Sequence, residues 1–305
     1  MTTSASIFHT PKSIASASTM QNYSADPSRV LIVAEFTNNH LGDLDKLLHM
    51  VELAKQAGAD LIKIQKRDVD SFYTTEQLNS KYDSPFGTTL GDYRRGVELD
   101  DNKLTVFTAA CGQLDIDWFA SVLDYKSYID LNKFDPKLIK IPSTISNHHT
   151  YMKRLAAEYR GPIVVSTGYT AANYIDYVFE TFQNNPLWLL HCVSAYPTPQ
   201  SDCNIAVVRH YHELAKERGI IPGYSSHDNG SLGSILAVAA GARMIEKHVK
   251  LEDNSWIHFD NVALGLKNGE FKRFVADIRE AEKLMGSPEK RILACEHHKY
   301  GHEIR

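Results

Sequence analysis

From Arg29 onward, short β-branched apolar runs alternate with polar or glycine-containing turns and with stretches whose apolar residues recur at helical spacing. The runs are Val30–Glu35, Leu61–Gln65, Leu104–Thr108, Leu138–Ile141, Ile163–Ser166, Trp188–Cys192, Ile220–Ser225 and Arg243–Lys247. Amphipathic stretches follow most of them, at Leu44–Gln56, Ile116–Asp124, Thr150–Glu158, Ala171–Gln183, Ile205–Arg218 and Ser231–Ala240, and a last one covers Glu270–Met285. Eight strand–helix units in about 250 residues predict an α/β fold, a closed (β/α)8 TIM barrel forming a single domain. An open doubly wound sheet fits less well, because the first βα turn has no Gly-x-Gly-x-x-Gly phosphate loop. The expected division is a flexible leader over 1–28, the catalytic barrel over 29–286 and a tail over 287–305. Two connections, Asp68–Lys103 and Asp124–Pro136, are long enough to be read as lids or binding loops.

In such a barrel, chemistry gathers at the C-terminal ends of the strands. The residues there are Glu35, Lys63 and Gln65, Thr108, Lys140 and Ser143, Ser166 and Thr167, His191 and Tyr196, Ser225 and His227, and Lys247 and His248. So many ionisable groups are costly to bury in a barrel that does nothing with them. His227 and His248 end neighbouring strands roughly 4.8 Å apart, so their imidazoles can reach one divalent ion. Barrel closure brings Glu35 of the first strand to the same place. A two-histidine site leaves positions for water or substrate, as in a catalytic site, and neutral nitrogen and oxygen ligands suit Mn2+ or Mg2+. Lys63 and Lys140, with the hydroxyls of Ser143, Ser166 and Thr167, have the chemistry to surround a phosphate or carboxylate. Two blander readings stand beside this one: each lysine is the partner of a barrel glutamate, and each histidine is a hydrogen-bonded rim residue. A chemical rival is a Schiff base formed by Lys63 or Lys140.

Composition narrows the partners. A net charge of −4 over 305 residues argues against nucleic acid or an anionic membrane as the main partner. Cys111, Cys192, Cys203 and Cys295 have no paired short spacing and read as reduced thiols, which points to the cytoplasm. No apolar run is long enough to span a bilayer, and the Ser/Thr/Ala-rich first 28 residues lack the apolar segment of a signal peptide. In the tail, Cys295, His297, His298 and His302 have metal-capable spacing but are read as an exposed, non-functional end.

Eight segments in fixed order resemble the sialic acid synthase family. They are VAEFTNNHLGD (33–43), LIKIQ (61–65), SPFGTTLGDYRRGVEL (84–99), KIPSTISN (140–147), VVSTGYT (164–170), LLHCVSAYPTP (189–199), GYSSHDNGSLG (223–233) and IEKHV (245–249). The resemblance covers about Val30 to Gly286. It implies a barrel enzyme that condenses phosphoenolpyruvate with an aldose or amino-sugar, giving a nonulosonic or related 2-keto-3-deoxy sugar acid and phosphate. It further implies that His227 and His248 hold the metal and that Glu35 handles the attacking water. Lys63, Lys140, Ser143 and Ser166 match positions that bind phosphoenolpyruvate; Gln65 and Tyr196 line the sugar site, and Asp260 matches an acceptor-binding aspartate. Ser225 and Thr108 complete the expected substrate shell, Thr108 standing in for the threonine of the family's Ser-Thr-Pro.

The departures concern the acceptor half. Thr108-Ala109-Ala110 stands where the family has Ser-Thr-Pro, Thr144-Ile145 where it has Gly-Glu, and Ser226 where it has Asp. The antifreeze-like C-terminal domain common in the family is not expected, leaving a homodimer possible but without the partner arginine. A Schiff-base aldolase or lyase acting on a 2-keto acid, and a non-catalytic barrel binding an anionic sugar, are the alternatives.

Overall fold

The computed structural model describes residues 29–254, 256–257 and 260–299. Eight parallel strands close a barrel: β1 (Leu31–Thr37), β2 (Leu61–Lys66), β5 (Asp117–Val122), β6 (Ile139–Ile141), β7 (Ile163–Ser166), β8 (Leu187–Cys192), β9 (Ile221–Ser226) and β10 (Met244–Lys250). β10 pairs back onto β1, and a two-residue strand, β11 (Leu264–Gly265), pairs in parallel with the end of β10. The outer ring includes α1 (Leu44–Ala57), α5 (Asp101–Gln113), α6 (Tyr125–Asn132), α7 (His149–Glu158), α8 (Asn173–Thr181), α9 (Ala206–Arg218), α10 (Leu232–Ala239) and α11 (Glu270–Met285). The predicted barrel is thus present.

One strand was misplaced. Leu104–Thr108 is not a strand but lies within α5, and the third barrel strand is β5, inside the stretch expected to be helical. The local chemistry explains the exchange. Asp100 caps α5 by accepting from the Lys103 amide, and the buried Leu104, Phe107 and Cys111 recur at helical spacing. In β5, Trp118, Ala120 and Val122 pack against the helices while Phe119 fills the barrel interior, so both faces are apolar and alternation is lost. The connection expected at Asp124–Pro136 is mostly α6, started by Asp124, whose carboxylate accepts from the Ser127 amide.

The other long connection is folded. After β2 come the short helices α2 (Val69–Phe72) and α3 (Thr75–Leu78), the antiparallel hairpin β3 (Lys81–Ser84) and β4 (Gly87–Thr89), and α4 (Leu90–Gly96). Reciprocal capping boxes at Thr74/Gln77 and Thr89/Asp92 start α3 and α4. Tyr93 of α4 stacks on Tyr82 of the hairpin and meets Trp256, beyond β10, edge-on at 5.6 Å. The insertion therefore lies over the rim on the β10 side.

Two apolar cores divide the barrel. The larger lies between sheet and helices; the smaller, inside, consists of Leu31, Val33, Leu61, Phe119, Leu138, Val164, Trp188, Leu190 and Met244. Gly223 belongs to this filled interior, where a Cβ would come within 2.8 Å of the Met244 carbonyl oxygen and 3.0 Å of Leu190. Because strand side chains alternate, the next inward positions toward the C-terminal ends are Glu35, Lys63, Ser121, Lys140, Ser225 and Glu246, all buried. The interior changes from apolar to ionic within one layer. Among the described residues, no helix is long and apolar enough to cross a membrane.

Candidate active site

Strand register assembles the site. Across β1, Glu35 pairs with His248 of β10 on one side and with Lys63 of β2 on the other. Ser121 pairs with Lys140, Glu246 with Ser225, and Ser225 with Cys192. The pocket at this level is lined by Glu35, Thr37, Lys63, Gln65, Ser121, Lys140, Ser143, Thr144, Ser166, Cys192, Tyr196, Ser225, His227, Glu246 and His248 among others. Of the sequence-derived candidates, Glu35, Lys63, Gln65, Lys140, Ser143, Ser166, Tyr196, Ser225, His227 and His248 therefore meet in one place.

Glu246 is the electrostatic centre. Its Oε1 accepts from Lys63 Nζ at 2.9 Å, Lys140 Nζ at 2.6 Å and Ser225 Oγ at 3.0 Å, while its Oε2 is buried without a hydrogen-bond partner. Burial works to raise its pKa, but the two lysines outweigh burial and hold it below the usual carboxylate range. Lys63 also lies 3.0 Å from Glu35 Oε2 and 3.1 Å from Ser121 Oγ. Against the cost of burial, its two carboxylates keep Lys63 more basic than a free lysine. Lys140 differs: burial is opposed by Glu246 alone at close range, Lys63 repels it, and its pKa comes down to about 8. Glu35 is pushed up, first by burial, with the nearby Glu246 adding to it and Lys63 opposing.

The histidines face each other with ring centroids 5.4 Å apart. His227 Nδ1 lies 2.7 Å from the Val193 carbonyl; a carbonyl only accepts, so Nδ1 carries the hydrogen and Nε2 presents a lone pair. His248 Nδ1 lies 2.9 Å from Thr37 Oγ1, whose own hydrogen goes to Glu35 Oε1 at 2.6 Å. Thr37 therefore accepts from Nδ1–H, and again Nε2 is the basic nitrogen. Burial, with His227 beside it, drives the His248 pKa well down and keeps it neutral. Burial also acts to lower His227, but the Cys192 sulfur 3.6 Å away, the Val193 carbonyl and the charge of Glu246 together outweigh it and its pKa rises. Thr37 holds this link with φ 47°, in the left-handed region that β-branched residues rarely adopt.

The donor set suits a divalent cation only in part from protein. Two imidazoles tied at Nδ1 by a carbonyl and a hydroxyl are the arrangement that fixes Nε2 as ligand. Among the described residues, no group of three or more His, Cys, Asp or Glu is placed to hold a metal. The remaining coordination positions would fall to water and substrate.

On the opposite wall, Ser143 Oγ accepts from the Gly168 amide at 2.9 Å and donates to Cys192 Sγ at 3.7 Å. Ser166 Oγ is buried and has no partner. A Cβ on Gly168 would sit 2.7 Å from Ser143 Oγ and 2.4 Å from Ser194 Oγ, so only glycine leaves this hydroxyl cradle open. Gln65 donates to Asn38 at 2.6 Å, and the Tyr196 ring lies 4.2 Å from that of His227.

Several strand-end groups are elsewhere. Thr108, on α5 outside the barrel, does not reach the pocket; Ser121 of β5 occupies the position expected of it. Thr167 points outward, donating to the Leu190 carbonyl and accepting from Tyr211. His191 also faces out, 2.8 Å from the Cys203 carbonyl. Lys247 bonds Ser226 and the Asp228 carbonyl behind the sheet. Ser226 likewise points away from the pocket, and Asp228 supplies the carboxylate there, accepting from Tyr224 at 2.8 Å and Ser226 at 2.7 Å. Asp260 opens a short 3-10 turn, Asp260–Val262; its side chain lies outside the described residues, as does His302. Glu246, Thr37, Ser121 and Cys192 were missed, although Glu246 stands two residues before His248 and must share its face of the strand.

Known proteins resemble the chain along most of its length. Residues 50–290 match the NeuB family. The chain is 32% identical over 269 residues to N-acetylneuraminate-9-phosphate synthase of Homo sapiens, covering 87% of this chain and 74% of that one. It is 35% identical over 276 residues to pseudaminic acid synthase of Campylobacter jejuni, covering 87% and 77%. The crystal structure of N-acetylneuraminic acid synthetase from Leptospira borgpetersenii superposes with a TM-score of 0.76 at 24% identity, covering 88% of this chain and 89% of that one, which speaks for the fold.

Proposed function

The chain belongs to the NeuB family, and from that membership we propose that it condenses phosphoenolpyruvate with an open-chain aldose or amino-sugar. The products are a sialic-acid-like 2-keto-3-deoxy sugar acid and inorganic phosphate. The observation that carries the reading is the single level at which Glu35, Lys63 and His248 pair across β1, with Glu246 bridging Lys63 and Lys140 beside them.

The donor carries a carboxylate and a phosphate, and the two lysines with Ser143, Ser166 and Ser225 orient both. His227 and His248 would hold a divalent cation, Mn2+ or Mg2+, which supplies polarisation of the acceptor aldehyde. The donor methylene carbon then forms the new bond to the aldehyde carbon, and positive charge develops at the carbon bearing phosphate. The surrounding carboxylates Glu35 and Glu246 offset that charge. Glu35 takes a proton from the water that adds there; its pKa, raised by burial, suits a group that accepts a proton and passes it on. Collapse of the tetrahedral species breaks the carbon–oxygen bond to phosphate and leaves the ketone. Gln65 and Tyr196 line the acceptor side, and the family resemblance assigns Asp260 to the acceptor as well.

The test is phosphate release from phosphoenolpyruvate with added Mn2+ and a panel of amino-sugars. Release that requires both acceptor and cation is expected; no release with any acceptor, together with no phosphoenolpyruvate binding by calorimetry, would overturn the reading. Trapping of pyruvate on Lys140 by borohydride, unaffected by chelators, would instead indicate the Schiff-base route, for which a lysine near pKa 8 is chemically suited.

Donor binding should depend on pH through Lys140. With its pKa lowered to about 8, the charge is present below that value and lost above it. The KM for phosphoenolpyruvate is therefore expected to rise as pH passes 8, and binding above pH 8 should take up a proton. Calorimetry in buffers of different ionisation enthalpy measures this; Lys140→Arg should move the rise out of the accessible range.

A further inference from the structure

Lys247 is fully buried behind the sheet, and the chemistry above does not use it. A lysine with no exposed surface is costly unless its N–H groups are met. Its hydrogen bonds fall on the residues either side of His227: Nζ donates to Ser226 Oγ at 2.9 Å and to the Asp228 carbonyl. Lys247 itself directly precedes His248. One ammonium thus links the flanks of both imidazoles.

The backbone leaves this task to side chains. The β9–β10 ladder ends at the pair Ser226–Lys247, one residue before each histidine. His248 continues along β10 and pairs with Glu35 of β1, whereas His227 lies just beyond the end of β9. There its carbonyl accepts from the Thr198 amide at 2.9 Å. Without Lys247, the 5.4 Å between the two ring centroids would depend on a turn that has already left the sheet.

The anchor is itself fixed. Ser226 Oγ, which accepts from Lys247, donates to Asp228 Oδ1 at 2.7 Å, and the Tyr224 hydroxyl donates to the same oxygen at 2.8 Å. Asp228 Oδ2 sits against the first turn of α10, where a Cβ on Gly233 would come within 2.4 Å of it. Tyr224, Ser226, Asp228 and Lys247 are all buried, so water does not compete for these bonds. The network lies on the outer face of the sheet, opposite the pocket, and touches the histidines only through the chain.

We propose that Lys247 is a positioning residue: with Asp228 it fixes the separation and ring orientation of His227 and His248, and so sets the affinity of that pair for a divalent cation. The cation rests on the condensation reading; the ring geometry does not. The experiment uses the full chain and Lys247→Met, which keeps the length of the side chain without its charge. The first readout is the spectrum of the metal-free protein labelled with 15N-histidine, in mildly alkaline buffer, with signals assigned through His227→Gln and His248→Gln. Wild type should show both rings protonated at Nδ1 alone, and Lys247→Met should broaden both patterns or mix in the other tautomer. The second readout is Mn2+ binding followed by electron paramagnetic resonance, which Lys247→Met should weaken by about tenfold to a hundredfold.

His191→Ala breaks a hydrogen bond on the same outer face and should match wild type in both readouts, which separates positioning from a general loss of stability. Asp228→Asn keeps the shape of the anchor but not its charge. It should show the same changes at smaller amplitude, and it decides the matter if Lys247→Met does not fold. Unchanged His227 and His248 signals in the variants overturn the proposal. So does Mn2+ affinity equal to that of wild type while His248→Ala loses the ion. If His248→Ala itself binds Mn2+ like wild type, the cation site of the condensation reading fails, and the histidine spectra still decide the role of Lys247.

Discussion

Glu246→Ala is expected to destabilise the protein by about 3–5 kcal/mol, and ligand anions should restore part of the loss. Removing this carboxylate leaves Lys63 and Lys140 buried, close together, with Glu35, among the described residues, the one remaining carboxylate in contact with Lys63. Destabilisation comes less from the lost attraction than from the uncompensated charge. Because Glu246 is held below the usual carboxylate range, its contribution is fully present above the unfolded pKa of roughly 4.3 and is lost only as pH falls toward the folded value. The effect should therefore be complete at neutral pH. Denaturant melts at pH 7, with and without phosphoenolpyruvate, provide the measurement. The donor's phosphate and carboxylate supply the negative charge the lysines have lost, so the variant should gain more stability from the ligand than wild type does. An equal ligand effect on both proteins would show that the lysines do not face the donor.

How much of this was legible in the sequence depends on which physical signal a residue leaves. Seven of the eight barrel strands were placed, because each is a short apolar run ending in a polar group. β5 was lost because it is apolar on both faces, whereas the neighbouring α5 offered an equally apolar segment; the cap at Asp100 was the discriminating feature. That single exchange accounts for the misassignment of Thr108 and the omission of Ser121. The histidine pair was readable from adjacency of strands, but the parity of side chains was not applied to its full extent. Applied along β10, it puts Glu246 with His248 inside and Lys247 outside; along β8 it puts Cys192 inside and His191 outside. Along β1 it puts Thr37 inside with Glu35, though it does not give its contacts. Its link to His248 and Glu35 accompanies a register irregularity between Glu35 and Thr37 and a left-handed φ, neither of which is encoded in composition or period.

The same distinction gives the sharpest functional contrast. His248→Ala is expected to lower turnover by at least about a thousandfold, equivalent to some 4 kcal/mol of transition-state stabilisation, within what a cation contributes by polarising a carbonyl. His191→Ala should leave kcat within a few-fold, because that ring hydrogen-bonds Cys203 behind the sheet and faces no substrate. Phosphoenolpyruvate binding should survive in His248→Ala, since the lysines and hydroxyls are on other strands. A chelator should bring wild type down to the level of the variant and leave the variant unchanged. Thr37→Val tests the linkage behind this site: it removes the hydroxyl that accepts from His248 Nδ1 and donates to Glu35. Loss of that anchor should weaken the apparent affinity for Mn2+ by about ten- to a hundredfold while the protein still turns over at saturating cation. If His248→Ala retains wild-type turnover in the presence of chelator, the imidazoles do not hold a cation, and the aldehyde must be activated by another group in the pocket.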